Sequence, residues 1–241
     1  MSEKTERSLS ERFPKVESGR TRGLIEFGFN AAILIFLVAR ATEVEFISIR
    51  SLMGMFEFRL GGPMNYLTLW GLQFSIGTFL LKVLCSIFSN SPVLIDLEKV
   101  YRLLALAIEG VVLLAYWPLA IINPEMVVPP DVVITLSDDL LLHCYPGLLI
   151  YLHQIFLSKR LIDNSGLLKL QTLNSRKVHS NVFVILFGMF YTCWIEYSST
   201  RFNPKVFPYP FLDIIFLGRY TIYISFLFIG LFLLRLSQPS S

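Results

Sequence analysis

The chain reads as an all-α, polytopic transmembrane bundle of about six helices with both termini cytoplasmic. Three observations predict this. The 241 residues are 54% hydrophobic and only 16% charged, with a mean hydropathy of +0.60, a balance outside that of ordinary soluble domains. The apolar residues gather into six segments, about 24–42, 64–88, 101–122, 132–156, 180–198 and 215–236. Each is close to or above the roughly 18 to 20 residues that cross a hydrocarbon core of about 30 Å. Finally, if the connections alternate sides, 15 of the 21 basic residues fall on one side, which is the cytoplasmic side by the bias of Lys and Arg in membrane proteins.

The first 23 residues are polar and mixed in charge, with Lys4, Arg7, Arg12, Lys15, Arg20 and Arg22 against Glu3, Glu6, Glu11 and Glu17, and are expected to form a cytoplasmic tail. A cleaved signal peptide needs a short apolar core ending at small residues. The segment after Gly23 instead continues through Arg40 and Ala41, so the first span is read as a retained anchor. The region 24–236 is then one multi-pass domain, and 237–241 a short cytoplasmic tail. The connection at 43–63 ends in Leu60-Gly61-Gly62-Pro63, a breaker directly before the second span. Pro92 interrupts the next loop, and Pro124, Pro129 and Pro130 separate the third and fourth spans, with Asp131 placed to cap the fourth. Asp163-Asn164-Ser165-Gly166 marks a polar cytoplasmic turn. The stretch from Phe202 to Asp213 carries Pro204, Pro208 and Pro210 among aromatics, a rigid, interfacial composition.

Several classes are excluded. The formal charge of +3 is small and the basic residues lie beside the spans, which does not suit nucleic acid. Cys85, Cys144 and Cys193 show no C-x-x-C spacing and are expected to be free packing thiols, so neither a metal nor an organic cofactor is implied. There is no H-E-x-x-H, no G-x-S-x-G and no phosphate-cradling glycine loop. No internal repeat is visible, which removes support for an inverted-repeat transporter. Tyr66, Trp70, Tyr101, Trp117, Trp194, Tyr209 and Tyr220 sit near span ends, where amphipathic rings favour the interface.

Ionisable side chains inside the spans are the informative minority, because a charge at membrane depth is costly and faces a cavity or the bundle interior. In the fourth span Thr135, Asp139 and His143 recur at intervals of four, which stacks them on one helical face. Asp139 is thereby placed to orient and charge-support His143. The competing reading makes His143 a polar bridge between helices. The second span opens with Tyr66-Leu67-Thr68-Leu69-Trp70. A lone intramembrane threonine ordinarily bonds its own backbone one turn back, so Thr68 gains interest only if it meets His143, since a hydroxyl needs a base to become a nucleophile. Counted from the non-cytoplasmic entry, Thr68 lies about 6 Å deep and His143 about 16 Å at 1.5 Å per residue, a mismatch of about 10 Å that closes if the fourth helix begins outside the bilayer near Pro130 or the second begins earlier than Met64, with helix tilt contributing. Glu26, Glu109 and Glu196 are further buried acids, with Arg40 and Arg219 able to snorkel or pair with them. His153 and His179 are expected at the headgroup level.

Tyr66-Leu67-Thr68 opening the second span, a histidine in the fourth followed by Pro146, and the run from Trp194 through Tyr209-Pro210-Phe211-Leu212-Asp213 together resemble the androgen-induced, FAR-17a-like family of membrane proteins, over about 60–236. The Tyr-Pro-Phe-Leu-acidic run is the most specific part. The chain departs from the family pattern in having only Cys144 and Tyr145 between His143 and Pro146. That departure, the 43–63 loop and the charged N-terminus suggest a divergent, fungal-type branch. The resemblance implies an intramembrane threonine hydrolase of fatty-acid esters of hydroxy fatty acids, with Thr68 as nucleophile and His143 as base. Its partners would be membrane lipids and the acyl ester, its compartment the endoplasmic reticulum, and the sequence leaves its oligomeric state open. Two other classes stand beside it: a non-catalytic lipid-binding or scaffold protein in which Thr68, Asp139 and His143 bond between helices, and a small-solute carrier with a water path lined by Glu26, Glu109 and Glu196.

Overall fold

The computed structural model describes residues 23–42, 62–88, 91–127, 135–158, 173–201, 207–213 and 216–237. The terminal tails, most of the 43–63 connection, Asp131 and the Asp163-to-Gly166 turn lie outside the described residues. Every regular element described is helical: α1 (Gly23–Thr42), α2 (Leu67–Ile87), α3 (Pro92–Ile122), α4 (Leu136–His143), α5 (Tyr145–His153), α6 (Leu173–Thr200) and α7 (Phe216–Ser237). Among the described residues, five helices are long and apolar enough to cross a membrane: α1, α2, α3, the Asn181–Thr200 part of α6, and α7 from Leu217. The chain is an all-α integral membrane protein.

The expected fourth span is not one helix. It breaks at Cys144, whose backbone leaves the helical region, and restarts as α5 with Pro146 in its first turn, where a residue without an N–H is tolerated. The start of α4 is capped by Thr135, whose hydroxyl accepts the Asp138 N–H at 3.2 Å and bonds the Asp138 carboxylate at 2.7 Å. Thr135 is therefore spent on the helix end. α3 begins nine residues before its apolar stretch. Ser91 caps it and Pro92 occupies the first position, and the polar opening turns hold themselves through Lys99–Asp96 at 2.8 Å and Arg102–Glu98 at 3.0 Å. Pairs at three and four residues support a helix that hydropathy does not register.

α3 is the hub, contacting α2, α4, α5, α6 and α7. The core around it includes Phe79, Ala105, Leu106, Ile108, Ile150 and Leu234, with Ile33 and Leu37 from α1. Close approach depends on glycine. A Cβ at Gly71 would stand 2.7 Å from Glu109 Oε1, and one at Gly147 would stand 2.6 Å from Leu113 Cδ1, so small residues bring α2 and α5 against α3 as is usual between membrane helices.

Side-chain bonds define the two ends of the bundle. At one, Lys82 of α2 pairs with Glu98 of α3 at 2.8 Å, Arg102 reaches Gln154 beyond α5 at 3.0 Å, and Gln154 donates to the Ser237 carbonyl of α7 at 3.2 Å. At the other lie the start of α2, the ends of α1, α3 and α6, and the starts of α4 and α7. There Arg40 bonds Ser137, and Arg219 pairs with Glu196 at 3.1 Å.

Candidate functional site at the start of the second helix

The opening of α2 is fastened from three directions. Tyr66, in the cap position, offers no side-chain bond to the helix, so the first-turn donors need partners from elsewhere. Leu67 N–H donates to the Tyr209 hydroxyl at 3.0 Å. The Trp70 indole donates to the Met64 carbonyl at 2.9 Å, and the Tyr191 hydroxyl to the Asn65 carbonyl at 2.9 Å. Thr68 is buried in this collar, with its side chain beside the Tyr209 phenol.

Thr68 differs from several other hydroxyls along the helices. Thr78, Ser86, Thr200, Thr221 and Ser225 each donate to the carbonyl four residues back, at 2.7 to 3.0 Å. Thr68 does not, because four residues back stands Met64, outside the helix and with its carbonyl taken by Trp70. The back-bonding that makes a membrane threonine inert is thus missing at the one position the sequence singled out.

Asp139 and His143 come together as their spacing predicts. His143 Nδ1 lies 2.8 Å from Asp139 Oδ1. The same oxygen accepts the Tyr116 hydroxyl at 2.5 Å. The Tyr116 ring lies flat on the imidazole, with centroids 3.4 Å apart and planes 2° from parallel, and the Trp117 indole donates to the His143 carbonyl at 3.1 Å. A nitrogen facing a carboxylate carries the hydrogen, so neutral His143 presents Nε2 as its acceptor. This is the tautomer a general base requires.

Thr68 and His143 share an end of the bundle, and α2 contacts α4. α4 starts at Leu136 and α2 at Leu67, so His143 is seven residues into its helix, about 10 Å, and Thr68 one residue into its own, about 2 Å; both helices start later than expected and the difference in depth stays close to the expected one. Among the described residues, however, no hydrogen bond joins the Thr68 hydroxyl to the imidazole. Tyr116 connects them: it stacks on His143 and, with Thr68, lines a hollow of about 30 Å³ that includes Val112, Leu119 and Val127.

That hollow adjoins a much larger one. A cavity of about 280 Å³ lies between α3, α6, α7 and the 207–213 segment, walled almost entirely by apolar side chains. Leu67, Val111, Tyr209, Phe211 and Phe226 line both. Met189 and Ile224, in the wall of the larger cavity, are also exposed on the outer surface of α6 and α7, so it opens sideways, toward lipid. Its size approaches the lower end of the roughly 300 to 1,000 Å³ range of small-molecule sites.

Other expectations fare unevenly. Arg219 does pair with Glu196, which also accepts the Tyr223 hydroxyl at 3.3 Å. Arg40 bonds Ser137 of α4. Glu109 is wholly buried against Gly71 and bonded by Ser75 at 3.3 Å, and neither cavity has a carboxylate in its wall, contrary to the water path a carrier reading requires. His153 lies near the charged Lys82, Glu98 and Arg102 end, as expected, but is not solvated there: it is buried edge-on to Phe79 at 5.6 Å, because the end of α5 tucks against α2. The side chain of His179 lies outside the described residues. The three cysteines are free. Tyr116 and Tyr209 are the site residues that sequence reasoning passed over. Tyr116 leaves no local signal, whereas Tyr209 opens the Tyr-Pro-Phe-Leu-Asp run and was read only as an interfacial ring.

That run brings Tyr209 to the Thr68 helix start, so the most specific motif of the resemblance and the candidate threonine form one structure. Compared with known families, residues 29–238 match the FAR-17a/AIG1-like protein family. The chain belongs to this family. Neither a curated protein nor a solved structure matches it at a significant level. Membership covers the seven described helices, α1 included from Phe29, so the Thr68 collar, the Asp139–His143 pair and both hollows lie inside the family domain.

Proposed function

We propose that this protein is an intramembrane hydrolase of fatty-acyl esters, fatty-acid esters of hydroxy fatty acids among them, with Thr68 as nucleophile, His143 as base and Asp139 as its orienter. The observation that carries this reading is the apolar, laterally open cavity whose wall continues into the hollow at Thr68. An acyl chain enters between α6 and α7 and sets its ester carbonyl near the threonine.

Thr68 Oγ attacks the carbonyl carbon, the carbonyl π pair moves onto oxygen, and the hydroxyl proton passes to His143 Nε2, directly or through one water. Collapse expels the alkoxide, which takes that proton and leaves as the hydroxy fatty acid. Water then attacks the acyl-threonine, again giving its proton to His143. The fatty acid departs and Thr68 recovers its hydrogen. Asp139 holds Nδ1–H throughout and stabilises the imidazolium. The nucleophile and base close to within about 3 Å only with substrate bound, as catalytic hydrogen bonds in empty sites often do, and Tyr116 is the side chain that must yield. The surplus of basic residues puts both termini in the cytoplasm and the site toward the non-cytoplasmic leaflet, and the lipid substrate suits the endoplasmic reticulum.

A second reading, a lipid-binding scaffold, is favoured by the missing hydrogen bond between Thr68 and His143. Fluorophosphonate labelling together with turnover of a fatty-acid ester of a hydroxy fatty acid separates the two. The enzyme reading expects the wild type to label and hydrolyse, and Thr68→Ala to do neither. Full labelling of Thr68→Ala, or a wild type without turnover, leaves the scaffold.

A further inference from the structure

The hydrolase reading leaves the negative charge that develops on the carbonyl oxygen without a partner, and the geometry points to Tyr209 as the oxyanion donor. We infer that its phenolic O–H, beside the Thr68 hydroxyl at the junction of the two hollows, donates to the ester carbonyl oxygen as Thr68 attacks. The inference rests on the proposed hydrolysis and names a group that neither the spacing nor the family resemblance assigned.

A phenol has one hydrogen to give and an oxygen that accepts. The Tyr209 oxygen accepts from Leu67 N–H at 3.0 Å, and its hydroxyl is hydrogen-bonded with the Thr68 side chain. Leu67 N–H holds the oxygen, and once Thr68 turns its own hydroxyl to the ester the phenol hydrogen is released to the carbonyl beside it. The ring is one of the five side chains common to both cavities, so that carbonyl lies within the space the phenol borders. The amide dipoles at the helix start polarise the phenol and strengthen it as a donor. Phe211 stacks on the ring at 5.2 Å and Tyr66 meets its edge at 5.6 Å, which fixes the hydroxyl before substrate arrives, as electrostatic preorganisation requires.

The titratable groups facing Tyr209 are other phenols, Tyr66, Tyr191 and Tyr116. Enclosure at this point pushes its ionisation up to about 12, so the donor keeps its hydrogen across the working range. A capping role alone would account for the bond to Leu67 N–H, but only the oxygen takes part in that bond.

The test uses the full chain in lipid nanodiscs with a fatty-acid ester of a hydroxy fatty acid as substrate. Tyr209→Phe is expected to lower kcat by about 10²-fold, the loss typical of one oxyanion donor, with KM within about twofold. It should still form the fluorophosphonate adduct at Thr68, more slowly. A wild-type kcat in a Tyr209→Phe protein, while Thr68→Ala is inactive, overturns the inference and leaves the hydrolase standing. A wild type without turnover overturns both. Should Tyr209→Phe fail to fold, 3-fluorotyrosine at position 209 supplies the readout. Donation needs a protonated phenol, so kcat falls as pH rises through its ionisation, and the more acidic fluorophenol moves that alkaline limb to lower pH. An unmoved limb also overturns the proposal.

Discussion

The two ends of this bundle are built from similar residue types and behave in opposite ways. At the Lys82 end charged groups answer one another: Lys82 of α2 and Arg102 of α3 share Glu98, and Arg102 and Gln154 tie α3 to the end of α7. At the Thr68 end the carboxylate, imidazole and phenols form a directed chain instead. Asp139 takes both Nδ1–H and the Tyr116 hydroxyl on one oxygen, leaving Nε2 as the acceptor of the imidazole, while Thr68, Tyr116 and Tyr209 line one hollow. Polar groups that close on one another lock helices together. Hydroxyls gathered on a hollow next to an oriented imidazole are equipped for chemistry.

The sharpest way to break this contrast is to disable the directed chain. With Thr68 as nucleophile, His143→Gln should lower kcat by about 10³-fold, within the span general-base catalysis supplies, while the thermal midpoint moves little because the new amide fills much of the same space. Asp139→Asn should cost nearly as much, since an amide no longer enforces the Nδ1–H tautomer. Steady-state kinetics on both variants checks this. Wild-type turnover in either would make the Thr68 end another structural lock.

The opposite perturbation belongs at the other end. Glu98→Gln strands two cations, Lys82 and Arg102, whose side chains are only 14% and 20% exposed. Removing one partner of a buried pair costs about 3 kcal/mol, so the unfolding midpoint in detergent should drop clearly. The kcat of the protein that remains folded should match the wild type. A catalytic defect without a stability defect would erase the distinction between the ends.

How far this contrast was legible beforehand varied by residue. The spans were readable because twenty apolar residues in lipid have only one backbone solution, the helix. The break at Cys144 was announced by Pro146, but its position was not, since proline fits the first turn of a new helix as well as a kink. The polar start of α3 escaped because its support comes from ion pairs at three and four residues and not from hydropathy. Asp139 and His143 were legible because both lie on one helix, where spacing alone sets the contact. Tyr116 and Tyr209 were not, since each reaches the site from another element, and no local pattern encodes a ring stacked on an imidazole or a hydroxyl placed at the end of a distant helix. The burial of His153 was misread for the same reason: it depends on where α5 ends against α2.

The smallest predicted effect concerns the cavity that gives the Thr68 end its substrate. Gly230 lines it, and a Cβ there would meet only ordinary contacts, Ala107 O at 3.5 Å and Ala107 Cβ at 3.6 Å, so a first side-chain carbon is admitted without displacing backbone. Gly230→Leu places its branches in the space of an acyl chain far from the reacting atoms. Lost apolar contact of this kind weakens ground and transition state alike, which raises KM and leaves kcat in place. About two methylenes' worth of contact, near 1.5 kcal/mol, corresponds to a KM raised roughly tenfold. Shorter acyl chains should recover most of the loss, because they stop before the filled region. A KM unchanged across chain lengths would mean that the acyl group lies elsewhere, and the hollow beside Thr68 would lose its claim to be what distinguishes that end of the bundle.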